Sequence, residues 1–199
     1  ARADHHVQAE PLTVAHACDL TTPPVSRPRR TAPEKTRADL GINPDSPAAL
    51  VSMGGVAQRT AFLEELTTMP DCSFLVPTFD LAETTRQDNL LLLPWHSAFH
   101  HPDLVAAVNL VIGKLGYSTI SEVYNEGVAF AYFTRKRFKE SPPLQRYVEE
   151  NITSVELPED AFSTHGWHSH IRPLLSAPRV ERATPNGADV IADFLSSLL

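Results

Sequence analysis

The segment Gly113 to Glu122, GKLGYSTISE, combines the residue types that hold phosphate. It follows an apolar run, Leu110 to Ile112, and opens a helical pattern that Gly127 closes. Gly116 lets the backbone turn sharply. Ser118 and Thr119 bring hydroxyls and free N–H groups to the helix start, an end that carries roughly half a positive charge and collects anions. Lys114 adds a cation beside it. Glu122, three residues after Thr119, supports two readings equally: it meets a ligand, or it completes a Thr-x-x-Glu capping box that needs none.

Three further segments hold candidate chemistry. Ser52 to Val56, SMGGV, follows an apolar run, and its paired Gly54 and Gly55 allow close approach of backbone to an anion; an ordinary tight turn explains them as well. Trp95, after Pro94, offers a surface for stacking on a base, or a half-buried cap for the sheet edge. Thr134 to Glu140, TRKRFKE, places Arg135, Lys136, Arg137 and Lys139 where diphosphate could bind, and Glu140 where sugar hydroxyls could; a solvated basic loop is the competing reading. The histidines His96, His100 and His101, then His165, His168 and His170, are accompanied by no cysteine pair. Their spacing fits no zinc motif, so surface or capping roles are expected and no metal.

These residues need a scaffold. From Ala48 onward, strand and helix signals alternate. Apolar runs over 48–53, 72–76, 90–93, 110–112 and 128–133 read as buried strands. Helical patterns fall over 56–69, 101–108, 118–126 and 143–151. Uniformly apolar strands separated by helices imply an α/β fold, a Rossmann-like parallel sheet with helices on both faces. Ligands then bind beyond the carboxyl ends of the strands, where the four segments lie.

Residues 21–47 are rich in Pro, Arg and Thr and read as a linker. Within it, Thr31-Ala32-Pro33-Glu34 predicts a capping box and a short helix that stops at Gly41. The chain begins with Ala1 and enters in mid-pattern, so it reads as a fragment. A net charge of −7 argues against nucleic acid as a partner. No apolar run approaches the roughly 20 residues of a membrane-spanning helix. The two cysteines, Cys18 and Cys72, suit a reducing cytoplasm.

The order strand–MGG, strand–PW, HPDLVAAVNLVIGKLGYSTISE, strand and charged loop resembles the C-terminal, donor-binding domain of GT-B glycosyltransferases. In the plant-type signature, which runs from a Trp to His-x-Gly-Trp-Asn-Ser-x-x-Glu, Lys114 stands at the His and Glu122 at the closing Glu. Gly116, Tyr117 and Ser118 stand in the Gly-rich turn between them. The lipid-linked N-acetylglucosaminyltransferases of peptidoglycan synthesis have a similar strand–turn–Ser-Glu pattern. The glycosyltransferase-like domain of plant L-arabinokinases is similar over most of residues 40–199. It has a GYGTVSE stretch, a charged loop like Arg135 to Leu144, and a helix start like Asn186-Gly187-Ala188-Asp189.

The resemblance implies one half of a GT-B fold. Residues 1–20 would be a remnant of the preceding N-terminal domain, 21–47 the interdomain linker, and 48–199 the nucleotide-sugar-binding domain. Gly116 to Thr119 would hold the diphosphate, Glu122 the ribose diol and Glu140 the donor sugar. Gly54 and Gly55 would line the cleft, with Trp95 near the base. The donor would be a nucleoside diphosphate sugar, UDP-linked by expectation, bound as substrate with no cofactor. The acceptor and the catalytic base would come from the absent N-terminal domain. Lys114 replaces the signature His, and the charged loop lacks the Asp-Gln or Gln-Gln pair, so the donor sugar stays open. Two other functions fit the same residues: a nucleotide-sugar epimerase, and a non-catalytic sugar-nucleotide-binding domain.

Overall fold

The computed structural model describes residues 3–53, 60–79, 81–135, 138–158, 161 and 167–199, with backbone alone over 60–62. Gly54 and Gly55 lie outside the described residues, as do Lys136, Arg137 and His165. The elements run β1 (Val7–Ala9), β2 (Leu20–Thr22), α1 (Pro33–Asp39), β3 (Ala48–Ser52), α2 (Thr60–Thr67), β4 (Ser73–Thr78), β5 (Thr85–Gln87) and β6 (Leu90–Pro94). They continue with α3 (His101–Ala107), β7 (Leu110–Lys114), α4 (Tyr117–Glu126), β8 (Ala129–Phe133), α5 (Ser141–Asn151), β9 (Ser154–Glu156), α6 (His168–Leu175) and α7 (Gly187–Ser196).

The main sheet has seven strands in the order β5-β6-β4-β3-β7-β8-β9. All neighbours pair in parallel except β5 with β6. The chain starts at β3, builds outward through β4 to β6, and returns to the other side of β3 with β7 before continuing to β8 and β9. Strand order therefore reverses between β3 and β7, which is the doubly wound arrangement.

The period of two along each strand divides the side chains between two cores. Ala48, Leu50, Leu75, Leu91, Leu93, Val111, Phe130 and Tyr132 face the layer holding α3, α4 and α5. Ala49, Val51, Phe74, Val76, Leu90, Leu92, Leu110 and Ile112 face the layer with Trp167, Ile171 and Leu174 of the α6 region. Because both faces are covered, alternation in position produces no alternation in polarity. Each fully buried Leu, Ile or Phe contributes about 1.5–3 kcal/mol relative to exposure.

Three local expectations are revised. The short helix expected before Gly41 is present, but its N-cap is Ala32 with no side-chain bond, so Thr31-x-x-Glu34 is not a capping box. The helix is instead held from outside: the Arg37 guanidinium donates to the carbonyls of Ala107 and Asn43, both at 2.8 Å. The strand β5 falls in a segment expected to be loop, and β9 and α6 carry no assignment from sequence. The short helix α6 is amphipathic, burying Ile171, Leu174 and Leu175, even though Pro173 lies inside it.

At the other end of the chain, α7 begins at an Asn186 cap whose side chain accepts the Ala188 N–H. Asn186 also bonds the Ser26 backbone in both directions, as acceptor at 3.3 Å and donor at 2.9 Å. The C-terminal helix thus closes on residues 22–26. Among the described residues, no helix is long and apolar enough to cross a membrane.

Candidate functional site

A cavity of about 400 Å³ opens beyond the carboxyl ends of β3, β4 and β6, beside the reversal point of the sheet. Its size lies within the range typical of small-molecule sites. Beside it, β3 and β7 run in close contact. Ser52 at the end of β3 pairs with Gly113 of β7. A Cβ on Gly113 would lie 2.6 Å from the Ser52 carbonyl oxygen, so only glycine permits this approach.

The chain leaving β7 turns at Leu115–Gly116 and enters α4, whose N-cap is Gly116. Thr119 therefore stands inside the first turn, not at the cap, and no side chain caps the helix. The capping-box reading of Thr119 and Glu122 fails on this geometry. Ser118, Thr119 and Glu122 all line the cavity, with the N-terminal end of α4 presented to it.

Opposite them, Trp95 follows β6 and Phe79 follows β4. Their rings stack with centroids 4.4 Å apart and planes 23° from parallel. Both remain about half exposed on the cavity wall, at 45% and 47%. An exposed stacked pair of this kind offers an aromatic face at low desolvation cost.

The polar centre of the cavity is Glu122, only 4% exposed. Its Oε2 accepts from His101 Nδ1 at 2.6 Å, and its Oε1 accepts from the Arg27 guanidinium at 3.0 Å. His101 Nε2 in turn lies 3.3 Å from Ser52 Oγ. Burial raises the Glu122 pKa, but the His101 hydrogen bond and charge, followed by those of Arg27, outweigh it. The carboxyl is held below its ordinary value. Glu122 is therefore a carboxylate, and His101 carries its proton on Nδ1. Ser52, His101, Glu122 and Arg27 all line the same cavity.

Arg27 reaches the site because residues 28–31 are held by His100 and Asp103 at the start of α3. The buried Asp103 carboxylate accepts N–H bonds from Arg30 at 2.6 Å and Thr31 at 3.2 Å. His100 Nε2 meets the Pro28 carbonyl at 3.2 Å. Burial raises the Asp103 pKa, and the two backbone N–H groups more than reverse that, leaving it below its ordinary value. A folded-state pKa below the unfolded one gives stability that is present above about pH 4 and lost as pH falls through the folded value. The urea midpoint should hold from neutral pH to about pH 5 and fall below pH 4. Asp103→Asn keeps an acceptor but not the charge, so its acid limb should be shallower. Superimposable acid limbs would refute this role for Asp103.

The remaining candidates are placed as follows. Lys114 ends β7 half-buried, where desolvation and then the nearby Arg135 charge lower its pKa. It is not among the residues lining the cavity. Tyr117 is the first residue of α4 and is exposed. Glu140 is the N-cap of α5, and it too is not among the cavity's lining residues. Arg135 stacks on Phe138 at 3.7 Å and donates to the Leu115 carbonyl, so it braces the turn before α4. Cys72 is buried, with its thiol pushed up to about 12 by desolvation. Among the described residues, no three His, Cys, Asp or Glu side chains gather as a metal-ligand set.

His101, Arg27 and Phe79 were not legible as site residues. Phe79 carries no signal beyond its place after a strand. Arg27 is one of several arginines between β2 and α1. His101 reads as a helix opener before Pro102, and only the fold sets it against Glu122.

No protein-family model matches the chain. L-arabinokinase of Arabidopsis thaliana is 25% identical over 177 residues, which is 88% of this chain and 17% of that protein. Among solved structures, the spinosyn rhamnosyltransferase SpnG complexed with thymidine diphosphate aligns with a TM-score of 0.66 at 15% identity, over 98% of this chain and 57% of that one. MurG of Acinetobacter baumannii aligns at 0.56 with 14% identity, over 96% and 66%. SnogD of Streptomyces nogalater aligns at 0.58 with 14% identity, over 89% and 50%. At these identities the likeness is one of fold: the chain has the architecture of one half of a GT-B glycosyltransferase. It spans about half to two thirds of those solved chains.

Proposed function

We propose that this domain binds a nucleoside diphosphate sugar and serves as the donor half of a glycosyltransferase. The observation that carries the reading is a single cavity at the strand-order reversal. There the α4 N-terminus with Ser118 and Thr119, the carboxylate of Glu122 and the stacked pair Trp95–Phe79 face one another. Each part suits one part of such a ligand. Helix N–H groups and hydroxyls suit the diphosphate. A carboxylate accepts from a diol, and the half-exposed aromatic pair offers a face to a base. The relative bound to thymidine diphosphate supports a pyrimidine diphosphate, and UDP and dTDP are the donors to try first. Stabilisation of the departing diphosphate by preorganised donors is the chemistry such a site supplies. The donor binds as substrate, and the acceptor is held by a second domain of the whole protein.

The chain's two tryptophans make this testable by intrinsic fluorescence. Trp167 is buried and Trp95 is exposed on the cavity wall. Adding UDP or dTDP should quench the Trp95 emission saturably, and Trp95→Phe should remove the quenching while leaving the fold intact. Emission that does not respond to any nucleoside diphosphate would contradict a base stacked at Trp95.

A further inference from the structure

Arg27 is the one lysine or arginine among the described residues that line the cavity. One nitrogen donates to Glu122 at 3.0 Å, and the planar fork has further N–H groups for a phosphate oxygen. The side chain is 62% exposed, and Glu122 is its single hydrogen-bond partner among the described residues. Its direction therefore depends on how firmly the backbone around residue 27 is held. After Arg27, His100 and Asp103 hold it. Before Arg27, the hold comes from the start of α7, at the far end of the chain. The Asn186 side-chain oxygen accepts from the Ser26 N–H at 3.3 Å. Its amide nitrogen donates to the Ser26 carbonyl at 2.9 Å and to Ser26 Oγ at 3.2 Å. The same oxygen caps α7 by accepting from the Ala188 N–H at 3.0 Å. Gly187 adds a bond from its N–H to the Pro24 carbonyl at 3.2 Å, and a Cβ on it would fall 2.0 Å from the Pro23 carbonyl oxygen. Capping needs one acceptor, which serine supplies as well. Gripping both backbone groups of Ser26 needs an acceptor and a donor side by side, which the planar amide provides. The helix cap alone does not require that grip.

We propose that Asn186 is a positioning residue for the donor site. By holding Ser26 it sets the Arg27 guanidinium where a diphosphate meets it, so the C-terminal helix takes part in donor binding from outside the cavity. The inference rests on the nucleotide-sugar reading above. Asn186 is not among the residues lining the cavity, and its effect passes through Arg27. Fixing a flexible cation before the ligand arrives lowers the ordering cost of binding.

The test is a double-mutant cycle on the 199-residue chain. Binding of UDP and dTDP is followed by calorimetry, or by Trp95 quenching where affinity falls into the millimolar range. Asn186→Ser keeps an oxygen for the α7 cap but is too short to reach both groups of Ser26. It should weaken binding about fivefold, the scale of coupling within one hydrogen-bond network. Asn186→Asp keeps the accepted bonds and turns a carboxylate oxygen on the Ser26 carbonyl, so it should weaken binding at least as much. In an Arg27→Ala background neither substitution should have a further effect. Ala192→Gly loosens α7 at an exposed position away from Ser26, and it should leave affinity unchanged. Equal losses with and without Arg27, an Asn186→Ser chain that binds as the parent does, or an equal loss from Ala192→Gly overturns the positioning role and leaves the binding reading standing. No binding of either diphosphate by the parent chain overturns both.

Discussion

Replacing Glu122 with Ala should weaken UDP or dTDP binding at least tenfold and lower stability by about 1–3 kcal/mol, the usual cost of leaving buried hydrogen-bonding partners unmet. The carboxylate is nearly inaccessible and holds two partners from distant parts of the chain, Arg27 between β2 and α1 and His101 of α3. Removing it frees both. The penalty is moderated because the Arg27 side chain is 62% exposed and can return to water. Ligand binding suffers twice, through loss of the acceptor and through release of the groups it positions. Glu122→Gln separates the two effects. The amide fills the same space and can accept from one partner but not from both, so the fold should survive with a smaller loss. Calorimetry and thermal unfolding on both variants check this. Unchanged affinity in Glu122→Gln would show that charge at this position plays no part.

Gly127→Ala should be the most damaging small substitution for stability, at about 3–5 kcal/mol. Gly127 caps α4 with φ +62°, a conformation that costs a residue with a Cβ on the order of 1–2 kcal/mol. The added Cβ would also fall 2.0 Å from the Val180 carbonyl oxygen. That oxygen is backbone and cannot rotate away. The Val180 segment would have to lift, breaking the bond from the Val180 N–H to the Gly127 carbonyl at 3.0 Å. The damage would spread to its neighbours. Arg179 donates to the carbonyls of Ala106 and Val108, and Arg182 donates to those of Tyr124 and Asn151 while stacking on the Tyr124 ring. This strap holds the C-terminal end of α4, the helix whose other end faces the cavity. For a domain of this size the loss corresponds to a fall in Tm of roughly 10 °C. A Tm within 2 °C or so of the parent would show that the strap is dispensable.

How much of this could be read in the sequence depended on whether the signal was local. The central strands are apolar runs because both sheet faces are buried, and the runs over 48–53, 90–93 and 128–133 lie within a residue or so of β3, β6 and β8. The helix closed by Gly127 is equally local, since its cap requires a left-handed residue. The three-residue strands β1, β2, β5 and β9 have no such signal, because they are strands only through their partners. The two capping-box expectations failed on different grounds: before α1 the Thr31 N–H is taken by Asp103 of α3, and at α4 the cap falls on Gly116, three residues ahead of Thr119.

The candidate site divides along the same line. Ser118, Thr119 and Trp95 sit at element ends marked by glycine and proline, Glu122 lies one turn further into α4, and the fold brings all four to one cavity. Lys114 and Glu140 have suitable chemistry, yet the structure places Lys114 beside Arg135 and Glu140 at the start of α5. Arg27 and His101 are separated from Glu122 by 95 and 21 residues, so no spacing rule could join them.

The central claim is that the cavity at the β3–β7 reversal binds a nucleoside diphosphate. Calorimetric titration of the chain with UDP, dTDP and GDP, each alone and as its sugar conjugate, tests it most directly. Saturable one-to-one binding of at least one pyrimidine diphosphate, weakened at least tenfold by Glu122→Ala, is the predicted result. Binding of none of them, or binding equally tight in Glu122→Ala, would contradict it.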